Sequence, residues 1–184
     1  MAYAACAAVF RYLGTMSTDW AAVYTETYAD LVRFLHRKVW DIDRAQDLAQ
    51  EVFVKALDKS PDDPRAWLFT VANNLARDEA RAAVRKKKHL VLIKGEAEAR
   101  QETAPQLADE TERREQVEIV RKALDTLSET DRTVLLLWDA GFNYDEIAEQ
   151  TELSKSAIGT TLARARARLV EAHGRLEGKD AASR

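Results

Sequence analysis

The sequence predicts an all-α fold of two small helical domains joined by a flexible linker, and three observations carry that expectation. Of 184 residues only six are Gly and three are Pro, so long stretches lack the residues that interrupt helices. Apolar side chains recur at intervals of three and four through most of the chain, the period of one helix face. From about Gly95 to Thr111 that pattern lapses: large apolar residues thin out and Pro105 appears, as in a linker. A chain of this length holds one large domain or two small ones.

The first helix runs from Trp20 to Val39, with Trp20, Tyr24, Tyr28, Leu31, Leu35 and Val39 on one face. Asp41 and Asp43 break its pattern, and "DRAQDLAQEVFVKAL" begins a second helix with the apolar stripe Ala45, Leu48, Val52, Phe53 and Ala56. On its opposite side Asp47, Gln50 and Glu51 stand together at i, i+3 and i+4. "DKSPDDPR" is a loop that ends with Asp63 as cap and Pro64 at the first helical position. The third helix is expected to bury Trp67, Leu68, Val71, Ala72 and Leu75 and to leave Asn73, Asn74, Arg77, Asp78 and Arg81 outside.

Past the linker, "REQVEIVRKALDTL" turns Val117, Val120, Leu124 and Leu127 towards a core. Ser128 with Asp131, and Asn143 with Glu146, have the three-residue spacing of a capping box. Gly141 sits where the intervening helix "TDRTVLLLWDA" must stop. The stretch "YDEIAEQTELSKSAIGTTLARARARL" then reads as a helix from Tyr144 to about Gln150, a turn at Thr151 to Leu153, and a second helix capped by Ser154. Its core is Ile147, Ala148, Leu153, Ile158 and Leu162, with small Ala148 at the crossing.

If this is a helix-turn-helix, Lys155, Ser156, Gly159, Thr160 and Thr161 lie at the end of the second helix that meets base edges and phosphates. Arg164, Arg166 and Arg168, spaced by two, fan around that helix, so some belong on phosphates and others in solvent or on protein. Any αα-hairpin in a bundle gives the same pattern, and from these residues alone both readings stay open.

The net charge of −3 looks wrong for a nucleic-acid binder until the charges are placed. Arg65, Arg77, Arg81, Arg85, Lys86, Lys87 and Lys88 crowd one stretch; Lys155, Arg164, Arg166, Arg168 and Arg175 crowd another. "WDIDRAQDLAQE" and "KGEAEARQETAPQLADETERREQVE" are acidic. Two basic patches separated by acid suggest two DNA contacts and a cationic protein partner, although each run alone is equally well a solvated helix face.

The lone Cys6 excludes an internal disulfide, and no Cys/His cluster has ligand spacing, so neither a metal nor another cofactor is expected. The apolar run near the N-terminus is too short to span a membrane and has no basic residue before it, so no signal peptide and a cytoplasmic setting are expected. Met16 begins "MSTDWAAVYTETY", and residues 1–15 read as a mis-assigned start or a dispensable extension.

The two halves together resemble the extracytoplasmic-function sigma factors of bacterial RNA polymerase. "YTETYADLVRFLHRKVWDIDRAQDLAQEVFVKAL" with "PRAWLFTVANNLARDEARAAVRKK" is similar to sigma region 2, and "ALDTLSETDRTVLLLWDAGFNYDEIAEQTELSKSAIGTTLARARARL" to region 4. The resemblance implies a region 2 helical bundle over 16–90, a linker over 91–114, a region 4 helix-turn-helix over 115–175 and a tail over 176–184. It implies that Asp47, Gln50 and Glu51 meet the clamp helices of the polymerase β′ subunit. It further implies that Lys59, Ser60, Asn73, Asn74, Arg77, Asp78, Arg81, Arg85 and Lys86 serve the melted minus-10 element, where single-strand recognition needs a cationic groove. Trp67 could stack on a base there, yet its place in the apolar stripe favours the core, and Asp78 could equally pair with Arg81.

By the same resemblance, region 4 reads the minus-35 element and leans on the β flap. Here "AIGTT" at Ala157 to Thr161 departs from the common "TVKSR", which removes two cations and about one unit of salt slope for each. It brings small side chains to the groove, where threonine methyls can meet thymine. Glu152 likewise departs from the family by occupying a turn position where glycine is frequent, so slight strain is expected there. The linker acids Glu96, Glu98, Glu102, Asp109 and Glu110 would pass near the polymerase active centre, and an anti-sigma factor, free or membrane-bound, would hold the protein inactive.

Three other readings compete. A dimeric helix-turn-helix operator-binding regulator leaves "DLAQEVFVKAL" without a task. An enzyme needs an acid/base pair or an activated nucleophile, and His36, His89 and His173 are far apart with no repeated carboxylate partner. A pure interaction bundle has no need of two basic faces.

Overall fold

The computed structural model describes residues 18–94 and 108–181, with side chains at 18–82, 85 and 115–178. The expectations for residues 1–15, Met16 and the linker acids Glu96, Glu98 and Glu102, and for the side chains of Lys86, Lys87, Lys88, His89, Asp109 and Glu110, lie outside those residues; the backbone of Asp109 and Glu110 is helical. All regular structure among the described residues is helical, and the chain divides into two compact units after Ala83.

The first unit contains α1 (Trp20–Val39), α2 (Ile42–Ala56) and the N-terminal part of α3 (Pro64–Lys94). Each start has a carboxylate on its orphan amides: Asp19 accepts from Ala21 and Ala22, Asp41 from Arg44 and Asp63 from Ala66. Trp40, at φ 59°, turns the chain between α1 and α2 and donates its amide to His36 at 2.7 Å. The α2 stripe is buried as expected: Ala45, Leu48, Val52, Phe53 and Ala56. Tyr24 meets Phe53 edge-on at 4.8 Å, and Phe34, outside the expected stripe, meets Phe69 at 5.2 Å.

On α3 the expectation needs correction. The inward stripe is Leu68, Phe69, Ala72, Asn73 and Ala76, while Trp67, Val71 and Leu75 are half-buried. Asn73, expected outside, is 5% exposed because Phe69, four residues earlier, sets the inward direction and carries Asn73 with it. Arg44 grips Glu79 through two hydrogen bonds of 3.0 and 2.7 Å, tying the start of α2 to α3. Those bonds outweigh partial burial and hold the Glu79 carboxyl below its usual range.

The second unit contains α4 (Ala108–Asp125), α5 (Glu129–Asp139), α6 (Tyr144–Thr151) and α7 (Lys155–Ala181), with α7 packed on all three others. On α4 the buried residues are Ile119, Ala123 and Leu124; Val117 and Val120, expected inside, are 50% and 40% exposed. The helix ends at Asp125, so Leu127 reaches the core from the following turn and does not extend the wheel that had placed the valines inside. Asn143 and Glu146 form the full capping box of α6, with Asn143 donating its amide to Glu146 at 2.6 Å. Ser128 caps α5, but the reciprocal half is absent because the Asp131 carboxylate is engaged by α7. Gly141 takes φ +88° after α5, and Glu152 holds φ 58° between α6 and α7. Ile147, Ile158 and Leu162 close the core between these two helices, with Ala148 and Leu153 half-buried.

Candidate nucleic-acid and partner interfaces

In the first unit the outward face of α2 presents Asp47, Gln50 and Glu51, which stand clear of the core stripe by their period. Asp47 lies 4.0 Å from Arg44 and Glu51 3.4 Å from Lys55, both within the helix. Exposed pairs of this kind are worth about 0.3–0.5 kcal/mol, so a partner's cations can replace them at little cost. Val54, 65% exposed, continues the same line at i+7 from Asp47. The sequence reading missed it, because a valine beside Phe53 in an apolar run carries no sign of pointing outward.

The loop between α2 and α3 carries exposed Lys59 and Ser60. Trp20 anchors it by donating its indole N–H to the Lys59 carbonyl at 3.2 Å. Lys59 Nζ sits 3.2 Å from Asp58. Trp67 is half-buried with its ring 6.4 Å from that of Trp20, so it is neither a sealed core residue nor a free platform. Along α3, Asn74, Arg77, Asp78, Arg81 and Arg85 are all exposed at i, i+3, i+4, i+7 and i+11, one continuous stripe. Asp78 pairs with Arg81 at 3.6 Å. Asn73 leaves this group by burial.

In the second unit the exposed N-terminal end of α7 offers Lys155, Ser156 and Thr160. Lys155 reaches Asp145 at 2.7 Å. Gly159 lies beneath the Tyr144 ring, whose Cε2 would stand 3.5 Å from an added Cβ. Thr161, grouped with the reading residues by sequence, is 5% exposed; it falls beside Ile158, Leu162 and Ala165 on the inward face.

The three arginines are held by protein. Arg166 stacks over Trp138 at 5.4 Å, and Trp138 in turn lies 5.4 Å from Tyr144. Arg164 and Arg168 converge on buried Asp131, one guanidinium on each carboxylate oxygen at 2.7 and 2.8 Å. Burial opposes the Asp131 charge. Hydrogen bonds from Arg164 and Ser128, with the fields of both arginines, overrule it and keep the carboxyl below its usual range. An acid three residues after a serine gave only the capping signal, which concealed this role. Among the described residues no His, Cys, Asp and Glu group could hold a metal, and no helix is long and apolar enough to cross a membrane.

Comparison with known proteins gives the same division. The sigma-70 region 2 family matches residues 23–86 and the sigma-70, region 4 family matches residues 118–169. The RNA polymerase sigma factor YlaC of Bacillus subtilis is 32% identical over 153 residues, 80% of this chain and 87% of that protein. The ECF RNA polymerase sigma factor SigL of Mycobacterium tuberculosis is 38% identical over 68 residues, 34% of this chain and 38% of that one. Two solved structures share the fold at 24% identity. The sigma factor RpoE, in complex with the anti-sigma factor NepR from Bartonella quintana, has a TM-score of 0.63 and covers 84% of this chain and 96% of its own. CnrH, in complex with the cytosolic domain of CnrY, has a TM-score of 0.60, covering 90% and 92%.

Proposed function

Since the chain belongs to the extracytoplasmic-function group of sigma-70 factors, we propose a division of labour between its units within the promoter selection that such non-enzymatic factors perform for core RNA polymerase. The first unit docks on the β′ clamp helices through Asp47, Gln50 and Glu51, with Val54 adding apolar contact. Support for this comes from an acidic, largely exposed face on a helix whose other side is fully packed. The 57–63 loop and the α3 stripe of Asn74, Arg77, Asp78, Arg81 and Arg85 receive the melted minus-10 strand, for which the exposed cations Arg77, Arg81 and Arg85 along one helix face are the natural track.

The second unit lays α7 in the major groove of the minus-35 element, reading through Ser156 and Thr160, and rests against the β flap. Residues 16–90 and 115–175 are the two working domains, and the chain between them spans the polymerase channel. An anti-sigma factor masks the polymerase-binding surface. RpoE, solved with the anti-sigma factor NepR, and CnrH, solved with the cytosolic domain of CnrY, favour such control, and a partner acting through a cytosolic domain is compatible with one held at the membrane. The setting is the cytoplasm, where the polymerase works.

The observation that carries this reading is the order of two separate units, an acid-faced bundle and then a helix-turn-helix. An operator-binding regulator has no use for the first. Co-purification with bacterial core polymerase tests it. The wild type is expected to form a one-to-one complex that Asp47→Arg with Glu51→Arg abolishes, whereas a variant that binds as well as wild type removes α2 from the interface.

A further inference from the structure

We propose that Asp131 is a positioning residue that holds Arg164 and Arg168 as a two-pronged clamp on the DNA backbone beside the minus-35 element. The inference rests on the sigma reading above and adds to it a residue that touches no DNA.

Asp131 has no exposed surface, and a buried carboxylate is unfavourable unless paired. Its two oxygens are taken separately, one by Arg164 and one by Arg168. The arginine side chains nevertheless remain 49% and 54% exposed. A guanidinium has five N–H donors, more than one carboxylate oxygen can use. Each arginine is therefore fixed at one point and open at the rest, which is what bidentate phosphate recognition requires. Thr160, Arg164 and Arg168 follow at i, i+4 and i+8, so the pinned pair lies along the edge of α7 that leads back to exposed Thr160. The two side chains leave α7 four residues apart, about 6 Å of helix rise, and their guanidiniums converge on the two oxygens of one carboxylate.

A purely structural role for Asp131 makes the opposite prediction for DNA. An acid close to the groove repels phosphate, so on charge alone its removal strengthens binding and steepens the salt dependence. If Asp131 positions the arginines, its removal weakens binding although the site gains positive charge. The sign separates the two.

The experiment uses the full chain bound to core polymerase and, as probe, a promoter duplex enriched by that complex from a random pool, with binding measured from about 50 to 200 mM salt. Asp131→Asn is expected to bind about tenfold more weakly, with a salt slope shallower by about one unit. Equal or tighter binding by Asp131→Asn overturns the clamp. Should that variant lose the cooperative unfolding of the second unit, Arg164→Lys with Arg168→Lys decides, since it keeps both charges but not the planar forks. Loss of affinity supports positioned guanidiniums, and wild-type affinity overturns them. Failure of the wild-type chain to bind polymerase or enrich any duplex overturns the sigma reading and the clamp together, whereas wild-type binding with an unaffected variant overturns the clamp alone.

Discussion

Asp131 keeps its charge inside the second unit because two guanidiniums and a helix cap meet it there. Its folded pKa lies below the unfolded one, so the stabilisation is complete above the unfolded value of about 3.9 and is lost as pH falls through the folded value. Thermal melts of the wild type are therefore expected to show the second unit weakening as pH falls below about 4. Asp131→Asn, less stable at neutral pH by about 1–3 kcal/mol, should lack that component; equal acid sensitivity in the two chains contradicts the assignment. Glu152 makes a second test at this scale. A non-glycine residue at φ 58° costs about 1 kcal/mol, so Glu152→Gly should raise the denaturant midpoint despite the added freedom of the unfolded chain. The sequence showed the strain at Glu152 and the caps at Asp63 and Asn143, because those are set by neighbours two or three residues away. It could not show Asp131 meeting Arg164, a contact across 33 residues.

At the scale of elements, the helices themselves were legible: α1, α2, α6 and the start of α7 have the limits that period and caps assign, to within a residue or two, whereas α7 runs on to Ala181, well past Leu169 and into the expected tail. Which face turns inward was less so. On α4, Val117, Ile119 and Val120 are all apolar, and only the packing of α7 selects Ile119. On α3, Trp67 and Phe69 compete to direct the stripe; Phe69 wins through Phe34, and Asn73 goes inside with its Oδ1 unbonded. Asn73→Leu is therefore expected to stabilise the first unit by about 1 kcal/mol while leaving promoter melting intact. Arg77→Glu with Arg81→Glu should do the reverse, keeping thermal stability and polymerase binding but abolishing permanganate reactivity of minus-10 thymines. Melting that survives this reversal of charge removes α3 from the single-strand track.

For the whole molecule, the net charge of −3 misleads and the segregation of charge informs. Acid lies on α2 and cations lie on α3 and α7, the arrangement that the proposed docking on a cationic protein and on DNA requires, and the two family matches fall on the two units in chain order. The two-domain order and the helix-turn-helix were legible because each has a local pattern. The exposed Val54 and the burial of Thr161 were not, because both depend on how a helix rolls against its neighbours. The central claim is that these two units jointly select promoters for core polymerase. It is tested most directly by mapping RNA 5′ ends on bacterial genomic DNA transcribed by core polymerase with and without the chain. The account predicts a set of chain-dependent starts preceded by two sequence elements at one fixed spacing, lost with Asp47→Arg and Glu51→Arg. Starts identical with and without the chain, or chain-dependent starts that share only one element, contradict it.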